Sequence, residues 1–270
     1  MNALAVERQA TEVELLRAIF ENELLVYYQP KVDLVTGTVT GAEALVRWIH
    51  PDKGILFPDA FILVAENSGL IVAIGKIVLL QACRQAKAWR DQGMASLTIA
   101  VNVSALEFRG RGYVENLRNV LDETGLDARC LQLEVTESVL MRNVQSSSAV
   151  LHELKQVGVQ LAIDDFGTGY SSLSYRSQFP IDVLKIDQSF VQSISSNNGN
   201  GVIVNAVIGM GTSLGQRVVA EGVETPAQLS FLHAHHCTEG QGYLFSDPVS
   251  ADDFTRLSRS GTVSAGVRLQ

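Results

Sequence analysis

Cysteine is scarce in this chain. The three present among 270 residues, Cys83, Cys130 and Cys237, are far apart and odd in number. They form no disulfide framework and match no zinc spacing. Reduced thiols in a reducing compartment, the cytoplasm, are expected. Positive charge is also short: 21 Lys and Arg stand against 29 Asp and Glu, a formal net charge of −8. With no basic stripe to neutralise phosphates, nonspecific binding to DNA or RNA is excluded. A phosphorylated ligand would need metal ions for most of its countercharge. Long apolar runs are missing too. The longest, LIVAIGKIVLLQAC (70–83), is broken by Lys76 and is too short for a bilayer, so no membrane partner is expected within the chain. The opening MNALAVERQATEVE lacks the basic-then-apolar order of a secretory signal.

What the chain does have is eight short apolar runs, each ending in polar or acidic residues. They are LLVYYQPK (24–31), GAEALVRW (41–48), LTIAVNVS (97–104), LQLEVTES (131–138), VQLAIDD (159–165), IDVLKID (181–187), QRVVAEGVE (216–224) and TEGQGYLF (238–245). Helical stretches mostly separate them from the second onward. Eight strands with intervening helices predict an α/β chain folded as one (β/α)8 TIM-like barrel, which fits the length of 270 residues. Residues 1–22 read as a helix, capping the barrel floor or ending a linker; 23–260 read as the barrel and 261–270 as a frayed tail. Further helices are expected over Asp59–Gly69 and Ile71–Asp91 and near 112–124, 145–157, 200–214, 226–236 and 251–258. Asp59 and Ser146 are candidate N-caps, and Gly93, Gly125 and Gly158 candidate helix stops.

Active sites of such barrels lie at the C-terminal rim. Here that rim is expected to carry Glu43, Glu134, Glu137, Asp164, Asp165, Asp187, Glu221 and Glu224. Strand alternation puts Gly41, Glu43, Leu45 and Arg47 on one face, Ala100 with Asn102 on another strand, and Val183, Lys185 and Asp187 on a third. So many acids repel one another unless cations sit among them. Oxygen ligands without an organised cysteine or histidine set favour Mg2+ or Mn2+. The adjacent Asp164 and Asp165 suit a two-metal site that clamps both oxygens of an in-line phosphoryl displacement. The glycine-rich DDFGTGYSSL (164–173) is read as a loop over the substrate. Its DFG lacks the upstream HRD of a kinase, and its GTG lacks the third glycine of a dinucleotide fingerprint. GMGTSLG (209–215) is read as close helix packing, and His233, His235 and His236 as a solvated helix end.

Together these motifs resemble the EAL-domain cyclic di-GMP phosphodiesterases. The tripeptide Glu43–Leu45 alone carries no weight. YYQPK, VNVS, LEVTES, DDFGTGYSSL, LKID, AEGVET and QGYLFS also occur, in the family's order, across about residues 12–260. The resemblance implies hydrolysis of cyclic di-GMP to linear 5′-pGpG with two Mg2+ or Mn2+ ions. It implies Glu43, Asn102, Glu134 and Asp164 as ligands of the first ion, and Asp164, Asp165 and Glu221 as ligands of the second or its water. Lys185 is similar to the lysine that contacts the attacking water, and Gln241 to a glutamine near it. Gln29, Leu45 and Arg47 look like substrate contacts, and Glu137 like the anchor of the 164–173 loop through which a homodimer is coupled to activity. Asp187 receives no role. An upstream sensory or GGDEF domain in a parent protein is a common companion. One departure is Leu63, where the family often has proline; it falls on a helix and bears on the local bend.

Two other readings remain open at this stage: a catalytically silent cyclic-di-GMP receptor, and an unrelated metal-dependent barrel acting on other phosphoesters. Glu43→Ala separates the first from the enzyme, since it abolishes turnover but leaves a receptor's affinity intact. Activity is expected to rise with pH. Ca2+, larger and demanding more ligands, is expected to inhibit.

Overall fold

The structure is a computed structural model that describes residues 3–167, 179–194 and 200–260. In chain order the elements are α1 (Ala3–Phe20), β1 (Leu24–Asp33), β2 (Val39–His50), β3 (Gly54–Leu56), α2 (Ile62–Ser68), α3 (Ile71–Asp91), β4 (Thr98–Asn102), α4 (Ala105–Phe108) and α5 (Tyr113–Thr124). They continue with β5 (Leu131–Thr136), α6 (Glu137–Met141), α7 (Val144–Val157), β6 (Gln160–Phe166), β7 (Val183–Ile186), α8 (Gln188–Gln192), α9 (Asn200–Ser213), β8 (Arg217–Ala220), α10 (Pro226–Ala234), β9 (Glu239–Gly240) and α11 (Ala251–Arg259).

Eight strands close a ring in the order β1-β2-β4-β5-β6-β7-β8-β9, with β9 returning to β1, and β3 extends β2 outside it. Seven run parallel, from β2 to β9. The first does not: β1 is antiparallel to both neighbours. Its polar end, Lys31, is therefore carried toward the floor of the barrel rather than its rim. For the same reason α1, which leads into β1, sits on the rim side. Glu14 of α1 pairs with Lys53, in the turn after β2, at 2.6 Å. The expectation that α1 caps the floor is thus corrected.

Alternation along β5 shows how the strands are built. Leu131, Leu133 and Val135 point outward into the large core beneath the helices, whereas Gln132 and Glu134 point inward. Inside the ring Ala162, Val183 and Val219 form a small separate apolar cluster. On the outside Trp89 of α3 packs between Tyr28 of β1 (4.8 Å between ring centroids) and Phe254 of α11 (4.4 Å), tying the last helix to the first strand.

Of the expected helix signals, Gly125 and Gly158 are left-handed C-caps, and Gly93 follows the end of α3 with positive φ. The N-caps differ. Asp59 lies in a one-turn 3-10 helix, and Asn143, whose side chain accepts from the Ser146 amide, caps α7. Only Gly211 of the GMGTSLG segment is required by packing, since a Cβ there would lie 2.4 Å from Val218; at Gly209 it would meet nothing. No helix among the described residues is long and apolar enough to cross a membrane.

Candidate active site

Four strands, β2, β5, β6 and β8, deliver carboxylates to one point, and β7 delivers a lysine among them. Lys185 of β7, wholly buried, places its Nζ 2.6 Å from Glu221, 3.2 Å from Asp164 and 3.6 Å from Glu43, and bonds Glu134. Glu43 of β2 accepts from Asn102 Nδ2 at 2.7 Å and from Gln241 Nε2 at 2.6 Å. That Gln241 nitrogen also reaches Gln29 Oε1 at 2.8 Å. The close turn after β9 depends on Gly242, where a Cβ would lie 2.3 Å from the Val223 backbone. Glu43, Asn102, Glu134, Asp164, Lys185, Glu221, Gln241 and Gln29 are thus brought together.

Asp165 joins them against the rule of alternation, by which neighbours on a strand face opposite ways. Its φ is +52°, and the register of β6 against β7 slips between Ile163 and Phe166. This left-handed bulge turns both aspartates toward the mouth. Asp164, Asp165 and Glu221 offer oxygens that all lie within 4.8 Å of one another. Together with Glu43, Glu134 and Asn102 they form an all-oxygen donor set suited to hard divalent cations. Gln241 Oε1 is buried and has no hydrogen-bond partner among the described residues. These residues fit a metal site.

The other three expected rim acids do different work. Glu137 accepts from the Gly167 amide at 3.3 Å, at the start of the DDFGTGYSSL segment; residues 168–173 of that segment lie outside the described residues. Asp187 caps α8 through the Ser189 amide and stands beside Asp165. Glu224 accepts from Gln192 at 3.3 Å.

Electrostatics follow from this crowding. Burial pushes Glu134 up, but Lys185 and Lys31 outweigh it and hold the carboxyl down at about 2. Burial opposes the charge on Lys185, yet Asp164, Glu134, Glu221 and Glu43 raise its pKa well above the ordinary lysine value. Burial raises Glu43, and raises Glu221 strongly, with Lys185 pulling the other way. Asp165 is pushed up to about 6 by burial and by Asp164 and Asp187.

A raised carboxyl favours folding while protonated, and that advantage is lost as pH rises through the folded value. Asp165 therefore weakens the metal-free fold progressively as pH rises from its ordinary value of 3.8 to about 6, and fully above that. Asp165→Asn is expected to stabilise the protein in EDTA at pH 8 by on the order of 1 kcal/mol after solvent screening. That corresponds to about 2–4 °C in Tm, with roughly half that gain at pH 5. Thermal melts at the two pH values check this, and an equal shift at both contradicts it.

A cavity of about 290 Å3 opens over the acids, lined by Gln29, Glu43, Leu45, Asp164, Glu221 and Gln241 among others. A second, largely apolar cavity of about 300 Å3 shares Leu45 and is walled by Ile62, Ile71 and Ile74. Arg47 is 4% exposed, its guanidinium held 5.6 Å from the Tyr27 ring and 4.9 Å from the Phe57 ring. Sequence reasoning missed Phe57 and Lys31. Phe57 is remote in sequence from Arg47's strand face, and Lys31 becomes visible only once β1 is known to run antiparallel.

A (β/α)8 barrel with this acidic, lysine-centred mouth defines the class. Within it, the chain belongs to the EAL domain family, whose model matches residues 12–248. It is 44% identical over 252 residues to the bifunctional diguanylate cyclase/cyclic di-GMP phosphodiesterase MucR of Pseudomonas aeruginosa, covering 93% of this chain and 37% of that protein. It is 43% identical over 258 residues to the cyclic di-GMP phosphodiesterase NbdA of the same organism, covering 94% and 33%. The chain thus spans about a third of the length of these curated relatives. Among solved structures it is similar to the PaMucR phosphodiesterase in complex with c-di-GMP, with a TM-score of 0.89, 43% identity and coverage of 91% of this chain and 99% of that one. It is also similar to the EAL enzyme Bd1971 in its cAMP- and cyclic-di-GMP-bound form, with a TM-score of 0.90, 32% identity and coverage of 95% and 70%.

Proposed function

We propose that this chain hydrolyses cyclic di-GMP to 5′-pGpG, using two divalent ions, Mg2+ or Mn2+. The observation that carries the reading is the convergence of Glu43, Glu134, Asp164 and Glu221 on buried Lys185 beside the Asp164–Asp165–Glu221 oxygen cluster. Glu43, Asn102, Glu134 and Asp164 would hold one ion, and Asp164, Asp165 and Glu221 the other. Bound there, the ions would polarise the phosphodiester and activate water.

The protein's own groups set the rest of the reaction. Water attacks phosphorus, the P–O3′ bond breaks, the 3′ oxygen gains a proton and the phosphate stays on the 5′ side. Lys185 remains an ammonium under this crowding, so it acts as a donor that orients the water or steadies the phosphate. The attacking water's proton must then leave to an acceptor other than Lys185, since an ammonium has no lone pair to take it. Gln29 and Leu45 border the mouth, and the apolar cavity beyond Leu45 offers a wall for a purine. Arg47 reads as the phosphate contact, held by its two rings. Phe57→Ala loosens that hold, so KM for cyclic di-GMP is expected to rise about 2–5-fold with kcat little changed. Steady-state kinetics check it, and an unchanged KM contradicts it.

The function is tested by incubating purified protein with cyclic di-GMP and Mg2+, Mn2+, Ca2+ or EDTA, then separating products chromatographically. pGpG with Mg2+ or Mn2+ and none with EDTA supports the reading. Retained binding without product under every condition makes the chain a receptor instead.

A further inference from the structure

Lys31 has no part in the reaction above, yet it is 1% exposed inside the barrel. The antiparallel course of β1 brings it up to Glu134 from below, with Nζ 2.9 Å from Oε1. Gln132, two residues before Glu134 on the same inward face, donates to that same oxygen at 2.7 Å. Lys185 bonds the other oxygen, Oε2. The two carboxylate oxygens are therefore unequal. Oε1 is engaged by donors from the floor, and Oε2 is shared with the cluster at the mouth.

We infer that Lys31 is a positioning residue that confines Glu134 to metal ligation through Oε2 alone, and so sets the site's preference for Mg2+ and Mn2+ over Ca2+. The inference rests on the metal-site reading above and deepens it. Ca2+ takes six to eight oxygens and commonly chelates a carboxylate through both, whereas Mg2+ needs a compact octahedron. Offering both oxygens would require Glu134 to break with Lys31 and leave an ammonium buried without its partner, a costly state in a barrel interior. Mg2+ and Mn2+ make no such demand. Charge points the same way. Glu43, Glu134, Asp164, Asp165 and Glu221 carry five negative charges when ionised, and Lys31 and Lys185 return two positive ones. Two divalent ions then leave a mouth of about one net positive charge, matched to a single phosphodiester.

The test is the affinity of the full chain for Mn2+ and for Ca2+, measured by titration calorimetry without nucleotide, in wild type, Lys31→Met and Gln132→Leu. Wild type is expected to favour Mn2+. Lys31→Met should narrow the ratio of the two dissociation constants by about tenfold, in the range seen when a ligand's supporting partner is removed. Gln132→Leu should narrow it less, in the same direction. A merely structural role would weaken both metals alike and leave the ratio unchanged, which overturns the inference while the metal reading stands. Should Lys31→Met fail to fold, an unchanged ratio in Gln132→Leu overturns it equally. No Mn2+ binding by wild type removes the metal reading, and this inference with it.

Discussion

Lys185→Met is expected to destabilise the metal-free protein by about 3–5 kcal/mol, the range for removing one partner of a buried ion pair. For a domain of this size that is a fall of roughly 6–20 °C in Tm. The side chain of methionine is close in volume, so the loss is electrostatic. Four carboxylates that Lys185 now faces at bonding or near-bonding distance would be left crowded at the barrel mouth with Lys31 as the nearest cation, on Glu134. The pH dependence has a definite sign. Because the folded pKa of Lys185 is raised, its stabilisation is complete at every pH below the ordinary lysine value and is lost only above it. Wild type therefore keeps this contribution at both pH 5 and pH 8. In the variant, Glu43 and Glu221 can take up protons at pH 5 in place of the lost charge, so its deficit should be larger at pH 8. Added Mg2+ should recover part of it, since an ion that binds only the folded state stabilises by mass action. Hydrolysis should fall by about 10²–10³-fold, as for loss of one preorganised donor at the reacting atoms. Melts in EDTA and in Mg2+ check the stability, and pGpG release checks the chemistry. A Tm within a degree of wild type at pH 8 contradicts the account of Lys185 as the charge that holds the acids together.

Glu43→Gln separates chemistry from binding. Glutamine keeps the shape and one acceptor for the donors Asn102 and Gln241, so the fold should survive. It removes the negative oxygen that the proposed first ion needs and that a proton could reach. Turnover is expected to drop by more than about 10²-fold, as when one preorganised stabilising group is deleted. Affinity for cyclic di-GMP should stay within a few-fold, because Gln29, Leu45 and Arg47 are untouched. Product assays alongside equilibrium binding measure both. A variant that keeps more than about a tenth of wild-type kcat would remove Glu43 from the mechanism.

Much of this was legible in the sequence because strand and helix periodicities are local. Eight apolar runs with polar ends were enough for a barrel. Alternation in GAEALVRW and IDVLKID was enough to put Glu43 and Lys185 on inward faces, as found. The oxygen-rich, histidine-poor rim points to hard cations from residue types alone. Other features are not local. The direction of β1 is set by how the ring closes, and it puts Lys31 beneath Glu134. The inward turn of Asp165 breaks the period of two, because a left-handed residue and a register slip accompany the pairing of β6 with β7. The sorting of eight rim acids into four that meet at Lys185, a fifth, Asp165, that joins them at Asp164 and Glu221, and three that cap, anchor or stand aside depends on distances between strands. Sequence by itself thus determined the fold class and most of the residue types at the mouth, since each strand's pattern is written along its own length. Only the tertiary structure decided which of those residues meet and which oxygen of Glu134 faces the mouth, since register, closure and charge pairing are settled between strands.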